Sequence, residues 1–413
     1  MLKFCKLSLL VVLLGILSGC NLSGTITGLK GDIEISDGNE TLTLSSATDF
    51  SFSKNYLPGK PYEVSIKSAP ENYSCLIENN TGVFPTANVT DVTISCEIIA
   101  FHIPMDDPAG DMLYDKKRSI IYATDKKSSK LLFMDAFTGQ KINTITFDTL
   151  MPESMAISDD GNELYVSLLT QEHNNQWSEL QQEGFIAVID RDTQELIDTL
   201  HVDIDPYDIV VNGNGNLIIS SGSGQWTKIS MYDSEWGGLL SEGFIRQRSR
   251  LTVHPFKDTV FAANSDVSPS AFEKFSIIGN DIQSLGKLPY HGTYPINGKV
   301  WVTPNGENVI VRGGDMFLSS DMTHVSQLSE VGISDLTFDI TNNVMHVGRY
   351  DNSINTYNLL DYTLISSIIL DDKIQRLFTL NDKIYVISPH QGFSHNVTII
   401  DNPCLTQVGC GAN

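Results

Sequence analysis

Seven times between residues 117 and 387 the chain repeats a polar turn followed by a short β-rich strand, and this recurrence restricts its fold more than any other feature. The instances are Lys117 to Ala123, Asp160 to Ser167, Asn214 to Ser220, Lys257 to Ala263, Asn305 to Val311, Asn342 to Gly348 and Asn381 to Ile387. Equivalent positions are Tyr122, Tyr165, Ile218, Phe261, Ile310, His346 and Tyr385, spaced by 43, 53, 43, 49, 36 and 39 residues. Four short strands with their turns consume roughly 40 to 50 residues, the length of one propeller blade. The repeat therefore predicts an all-β chain carrying a seven-bladed β-propeller over residues 98–403. A third strand ending in an acid follows several units, as at Asp135, Asp190, Asp233 and Asp401, and a fourth follows at Lys141 to Phe147 and Glu195 to Val202. The last repeat stops after Asp401 without a fourth strand. The unpaired segment Ile98 to Ile103 is expected to supply it as an N-terminal outer strand, closing the ring and removing exposed edges.

The stretch from 154 to 202, with Leu164-Tyr165-Val166-Ser167 and then Val188-Ile189-Asp190-Arg191-Asp192-Thr193-Gln194, resembles the YVTN-type propellers of bacterial surface and periplasmic proteins. The likeness covers about 300 residues and weakens in the fourth and fifth repeats, where the acid becomes Gly279-Asn280 or shifts to Asp321. It implies a fold and no particular ligand.

Residues 23–97 read differently. Period-2 runs at Ile33 to Ile35, Thr41 to Leu44, Phe50 to Phe52, Tyr62 to Ile66 and Val92 to Cys96, separated by Gly, Asn, Asp and Pro, predict a small β-sandwich. Gly28 to Gly31, Leu57 to Val64, Pro70 to Cys75, Asn79 to Gly82 and Asn88 to Cys96 resemble a module of bacterial surface lipoproteins. That resemblance implies an Ig-like or transthyretin-like stalk without catalysis.

Lys3 and Lys6 precede an apolar run from Leu7 to Leu17, too short to cross a bilayer, followed by Leu17-Ser18-Gly19-Cys20. The string resembles the lipobox of bacterial lipoproteins. It implies a signal peptide over 1–19, an acylated Cys20 at the head of residues 20–22 and, with Asn21 next, sorting to the outer membrane of a Gram-negative cell. Besides Cys5 in the leader and Cys20, four cysteines remain: Cys75, Cys96, Cys404 and Cys410. An even remainder in an exported chain suggests two disulfides. Proximity favours Cys75 with Cys96 and Cys404 with Cys410, which would close a tail over 404–413, although spacing leaves the crossed pairings open. Zinc binding is the weaker reading, because no C-x2-C knuckle is present.

The formal charge is −23. Such acidity repels phosphate backbones and anionic lipid surfaces and disfavours nucleic acid as a partner. No G-x-S-x-G, P-loop, H-E-x-x-H, EF-hand loop or G-x-G-x-x-G occurs, so motif-coded catalysis is not expected. The four Trp do not repeat by blade, which disfavours a quinone cofactor. A lactonase-like hydrolase with a divalent metal, Ca²⁺ or Mg²⁺, in the channel is the alternative; it needs oxygen ligands from several blades, drawn from residues such as Asp205, Asp208, Asn264, Asp266, Asn305 and Asp335. Most such residues in an acidic repeat protein are turn formers. His390 and His395, flanking Gln391 to Ser394, could meet across a hairpin, where solvation is more usual than a metal.

Two irregularities stand out. Gln171 to Gly184 is a polar excursion in the second blade, carrying His173 and Trp177. In the following interval Trp226 and Trp236 accompany Arg246, Arg248 and Arg250, three guanidinium groups that one period-2 strand would place on a single face. This is a candidate recognition surface, since Arg and Trp are enriched at binding hot spots. The plainer alternative, that the Arg pair with nearby acids and the Trp fill gaps between blades, takes precedence. The expectation for the whole chain is a lipid-tethered, non-enzymatic propeller that binds a protein or polysaccharide at the cell envelope, without a cofactor.

Overall fold

The computed structural model describes residues 19–105, 109–265, 270–287, 293–390 and 394–403. The leader, Asp266, Gln391 to Phe393 and the tail with Cys404 and Cys410 lie outside the described residues. The chain divides into two compact units after Phe101, a boundary that falls within the strand Ala100–Ile103.

In the first unit the strand Leu22–Ser36 pairs antiparallel with Thr41–Ser51 and Ser65–Ser68, and parallel with Val89–Ile98, whose other neighbour is Tyr73–Glu78. A separate two-stranded ribbon joins Pro61–Glu63 to Thr81–Val83. Alternation along the long strand sends Leu22, Ile26, Ile33 and Ile35 into one core with Phe50, Val64, Phe84, Val92 and Ile94. Tyr56 stacks on Phe84 with centroids 4.5 Å apart. The strand bends at Gly28, where φ is +74° and any Cβ would lie 2.0 Å from the Cys96 carbonyl oxygen. Cys75 and Cys96, cross-strand neighbours, form a disulfide.

The second unit contains, among the described residues, seven four-stranded antiparallel sheets in chain order. Their first strands are Met112–Asp115, Met151–Ile157, Pro206–Val211, Ser249–Val253, Val300–Val302, Ile333–Asp339 and Arg376–Leu380. Each repeated strand of the sequence is the second of its sheet; Tyr122, Tyr165, Ile218, Phe261, Ile310, His346 and Tyr385 are all buried there. The seventh sheet has Arg376–Leu380, Lys383–Pro389 and His395–Asp401, and its fourth strand is Ala100–Ile103, about 300 residues earlier. Ile98 belongs instead to the first unit's strand Val89–Ile98. Apolar residues of neighbouring sheets interdigitate, as where Phe133 of the first packs with Leu164, Val166 and Ala187 of the second.

One expectation is overturned. Arg246, Arg248 and Arg250 do not share a strand face, because the chain breaks between them to pass from the last strand of the third sheet, Leu239–Arg246, to the first of the fourth, Ser249–Val253. Arg248 sits in that turn with φ +52°, and the Ser249 hydroxyl donates to the Arg246 carbonyl at 2.7 Å. Trp236 is also displaced. Trp226 pairs with Arg246 at one end of the hairpin and Tyr232 with Leu239 at the other, so Trp236, between Tyr232 and Leu239, lies at the far end.

Candidate functional site

All seven first strands contribute to one cavity of about 590 Å³ in the second unit. At its mouth three carboxylates follow one rule. Each sits just before an apolar residue of a first strand and accepts the backbone N–H of the next sheet's first strand: Asp111 from Met155 at 3.2 Å, Asp208 from Leu251 at 2.7 Å and Asp335 from Leu377 at 2.9 Å. A charged acceptor on an otherwise orphan amide is a strong bond in a site of low dielectric.

Basic side chains occupy the corresponding positions of the fourth, fifth and seventh sheets, and Ser154 that of the second. Arg250 Nη1 lies 3.4 Å from Asp208 Oδ1, with its guanidinium stacked 4.2 Å above the Tyr207 ring. Lys299 Nζ lies 3.4 Å from Asp335 Oδ1, and Arg376 reaches both Asp111 and Asp335, the latter at 3.9 Å. Burial pushes the Asp208 carboxyl up to about 6 against the pull of Arg250 and the Leu251 N–H. Burial likewise raises Asp335 to about 8, with Asp111 adding to the effect and the Leu377 and Leu336 amides opposing it. Farther along the same strands the lining turns aromatic, with Tyr114, Trp301, Phe338 and Phe378.

The second-sheet excursion is fastened over the third sheet at the end that bears Trp226. Asp205, fully buried, accepts from His173 Nδ1 at 2.6 Å and from the Ser223 hydroxyl. Ser223 Oγ in turn accepts the Asn174 N–H at 2.8 Å, and Ser221 donates to Gln182 at 2.6 Å. Gln247 donates to Asn175 at 2.7 Å, and Lys228 approaches Glu179 at 3.5 Å. A Cβ at Gly222 would lie 2.2 Å from His173 Nδ1, so the glycine is what lets the imidazole in. Beside this shelf Trp226, 54 % exposed, is covered by Arg246 at 3.8 Å and Lys287 at 4.5 Å from its ring centre.

The structure thus keeps Trp177, Trp226 and Arg246 at one end, puts Arg248 in the connecting turn and Arg250 in the lining of the cavity, and separates Trp236 from them. Of the suggested oxygen ligands, Asp208 and Asp335 line the cavity, Asp205 holds the shelf, and Asn264 and Asn305 accept the local amides of Ala271 and Glu307. His390 bonds to Asn396, while His395 is buried.

Carboxylates from three sheets, Asp111, Asp208 and Asp335, converge on the cavity. Each is bonded to a backbone amide and faces a guanidinium or ammonium, and among the described residues no three His, Cys, Asp or Glu side chains are placed to hold a metal ion. Sequence reasoning missed Asp111, Lys299, Arg312 and Arg376; the 42- to 44-residue interval from each acid to the amide that it holds was the available signal. No family model matches the chain, and no curated protein matches it.

Proposed function

We propose that the chain is a lipid-anchored protein of the bacterial cell envelope whose seven sheets are the blades of one closed propeller, and that it acts as a non-catalytic binding scaffold. The observation that supports this reading is the pairing of the cavity carboxylates: each accepts a backbone amide and faces a guanidinium or ammonium, contacts that hold the frame together and compete with use by a reacting group. Closure is supported by the common cavity of the seven first strands, by the Arg376–Asp111 pair between the last sheet and the first, and by Ala100–Ile103 completing the seventh sheet. The shelf over the third sheet, with Trp226 beside it, is the surface that meets an envelope protein or polysaccharide.

The first unit serves as an Ig-like or transthyretin-like stalk, and its disulfide suits an oxidising compartment. Cys20 lies two residues before the strand Leu22–Ser36, so the stalk rises directly from the lipid. Its thiol is packed inward, 3.7 Å from the Pro85 carbonyl oxygen, so acylation requires the side chain to turn outward.

Two measurements on the full chain in a Gram-negative host test the reading. Cys20→Ser is expected to move the protein from the membrane pellet to the soluble fraction; continued pelleting overturns the anchor. Trp226→Ala is expected to weaken retention on isolated envelope polysaccharide or its protein partner at least tenfold while Trp236→Ala leaves it unchanged. Equal effects of the two overturn the recognition surface.

A further inference from the structure

A second cavity of about 260 Å³ shares Asp111, Arg250, Lys299 and Arg376 with the larger one and adds Tyr207, Arg312, Ser334 and Gln375. Four cations and one carboxylate line it, in a chain whose balance is −23. Arg250 is matched by Asp208, and Lys299 and Arg376 by Asp335 and Asp111, which leaves Arg312 as the surplus charge. Its guanidinium rests 5.1 Å from the centre of the Tyr350 ring and has no acidic partner among the described residues. The Ser334 hydroxyl and the Gln375 side-chain oxygen are buried without a hydrogen-bond partner. Buried polar atoms are rarely left so. A hydroxyl can donate, and the Gln amide presents its NH₂ to the same space after a half-turn.

We propose that this second cavity is an oxyanion site that receives a carboxylate or phosphate group of the ligand, with Arg312 as the principal charge, Lys299 beside it and Ser334 and Gln375 as donors. Planar guanidinium groups match both anions in a bidentate fashion. A cavity of this volume holds one monosaccharide-sized group. The inference deepens the scaffold reading by giving that face a ligand chemistry, and it is independent of the lipid anchor.

Calorimetric titration of the purified full chain with galacturonate, inorganic phosphate and galactose tests it. Binding of galacturonate alone assigns a sugar carboxylate, binding of phosphate alone a phosphoryl group, and binding of both the shared oxyanion; each supports the site provided galactose stays silent. Arg312→Gln is expected to weaken the binding anion at least tenfold without changing the melting temperature, and Lys299→Gln to weaken it less. Absence of binding by both anions, equal binding of galactose, or binding indifferent to both substitutions overturns the proposal. If anion binding is absent while Trp226→Ala still lowers envelope retention, the oxyanion site alone fails. If binding follows Arg312 but retention ignores Trp226, the scaffold's recognition surface fails.

Discussion

Arg376 at the start of the seventh sheet is ion-paired with Asp111 at the start of the first, across 265 residues of sequence. Both side chains are about 15 % exposed, so neither is freely screened by water. Replacing Arg376 with Gln leaves Asp111 partly buried and without its guanidinium. The expected loss is about 3 kcal/mol in urea denaturation, the lower end for breaking a buried pair. Lys228→Gln, which removes partly exposed pairs with Glu242 and Glu179, should cost below about 1 kcal/mol. Equal small losses would show that the pair does not tie the first sheet to the last.

Ile103 is fully buried at the end of the strand that completes the seventh sheet. Ile103→Ala is expected to destabilise by about 2–4 kcal/mol and to speed hydrogen exchange of the amides in His395–Asp401, the neighbouring strand. An unchanged melting curve would refute a structural role for this strand.

The disulfide closes a loop of sequence separation 21 within the small first unit. Replacing both Cys75 and Cys96 with Ser should remove about 3 kcal/mol, the loop-closure contribution for this length. Calorimetry should show the loss confined to the transition of the first unit. A shift of both transitions would mean that the units do not unfold separately.

Stability should fall as pH rises from 6.5 to 8. Asp335 holds its proton up to about 8 in the fold, against 3.8 when unfolded, so its contribution is complete below 3.8 and lost as pH rises through 8. Asp208 has lost its share by about 6. On the acid side His346, held near 4 by burial, works in the other direction, and stability drops as pH falls through 6.5 toward 4. Asp335→Asn should flatten the melting temperature between pH 6.5 and 8, where the wild type should fall by about 2 °C or more. A slope kept in the variant would assign the titration to another group.

The second strands were legible because both faces of each are covered: Tyr122, Tyr165 and Phe261 stand in unbroken apolar runs. The first strands were not. Asp208 and Asp335 read locally as turn formers, Asp111 carried no local signal, and the task of all three appears only beside an amide 42 to 44 residues ahead. The Arg246 to Arg250 segment misled for a simpler reason. No Gly or Pro marks its turn, so alternation across a sheet boundary looks like alternation along a strand. Asp135, Asp190 and Asp233 were visible as acids after third strands; the structure adds that each accepts the amides two and three residues onward.

The excursion of the second sheet lies on the third as a finished piece of surface. Its polar residues spend their hydrogen bonds on Asp205, Ser223 and Gln247, and its short helical turn holds Leu180 almost wholly in water. The loss of conformational freedom that a long polar loop suffers on being ordered has therefore been met during folding and does not recur at encounter. A partner arriving there meets fixed points, and its dwell time is set by how well it matches them.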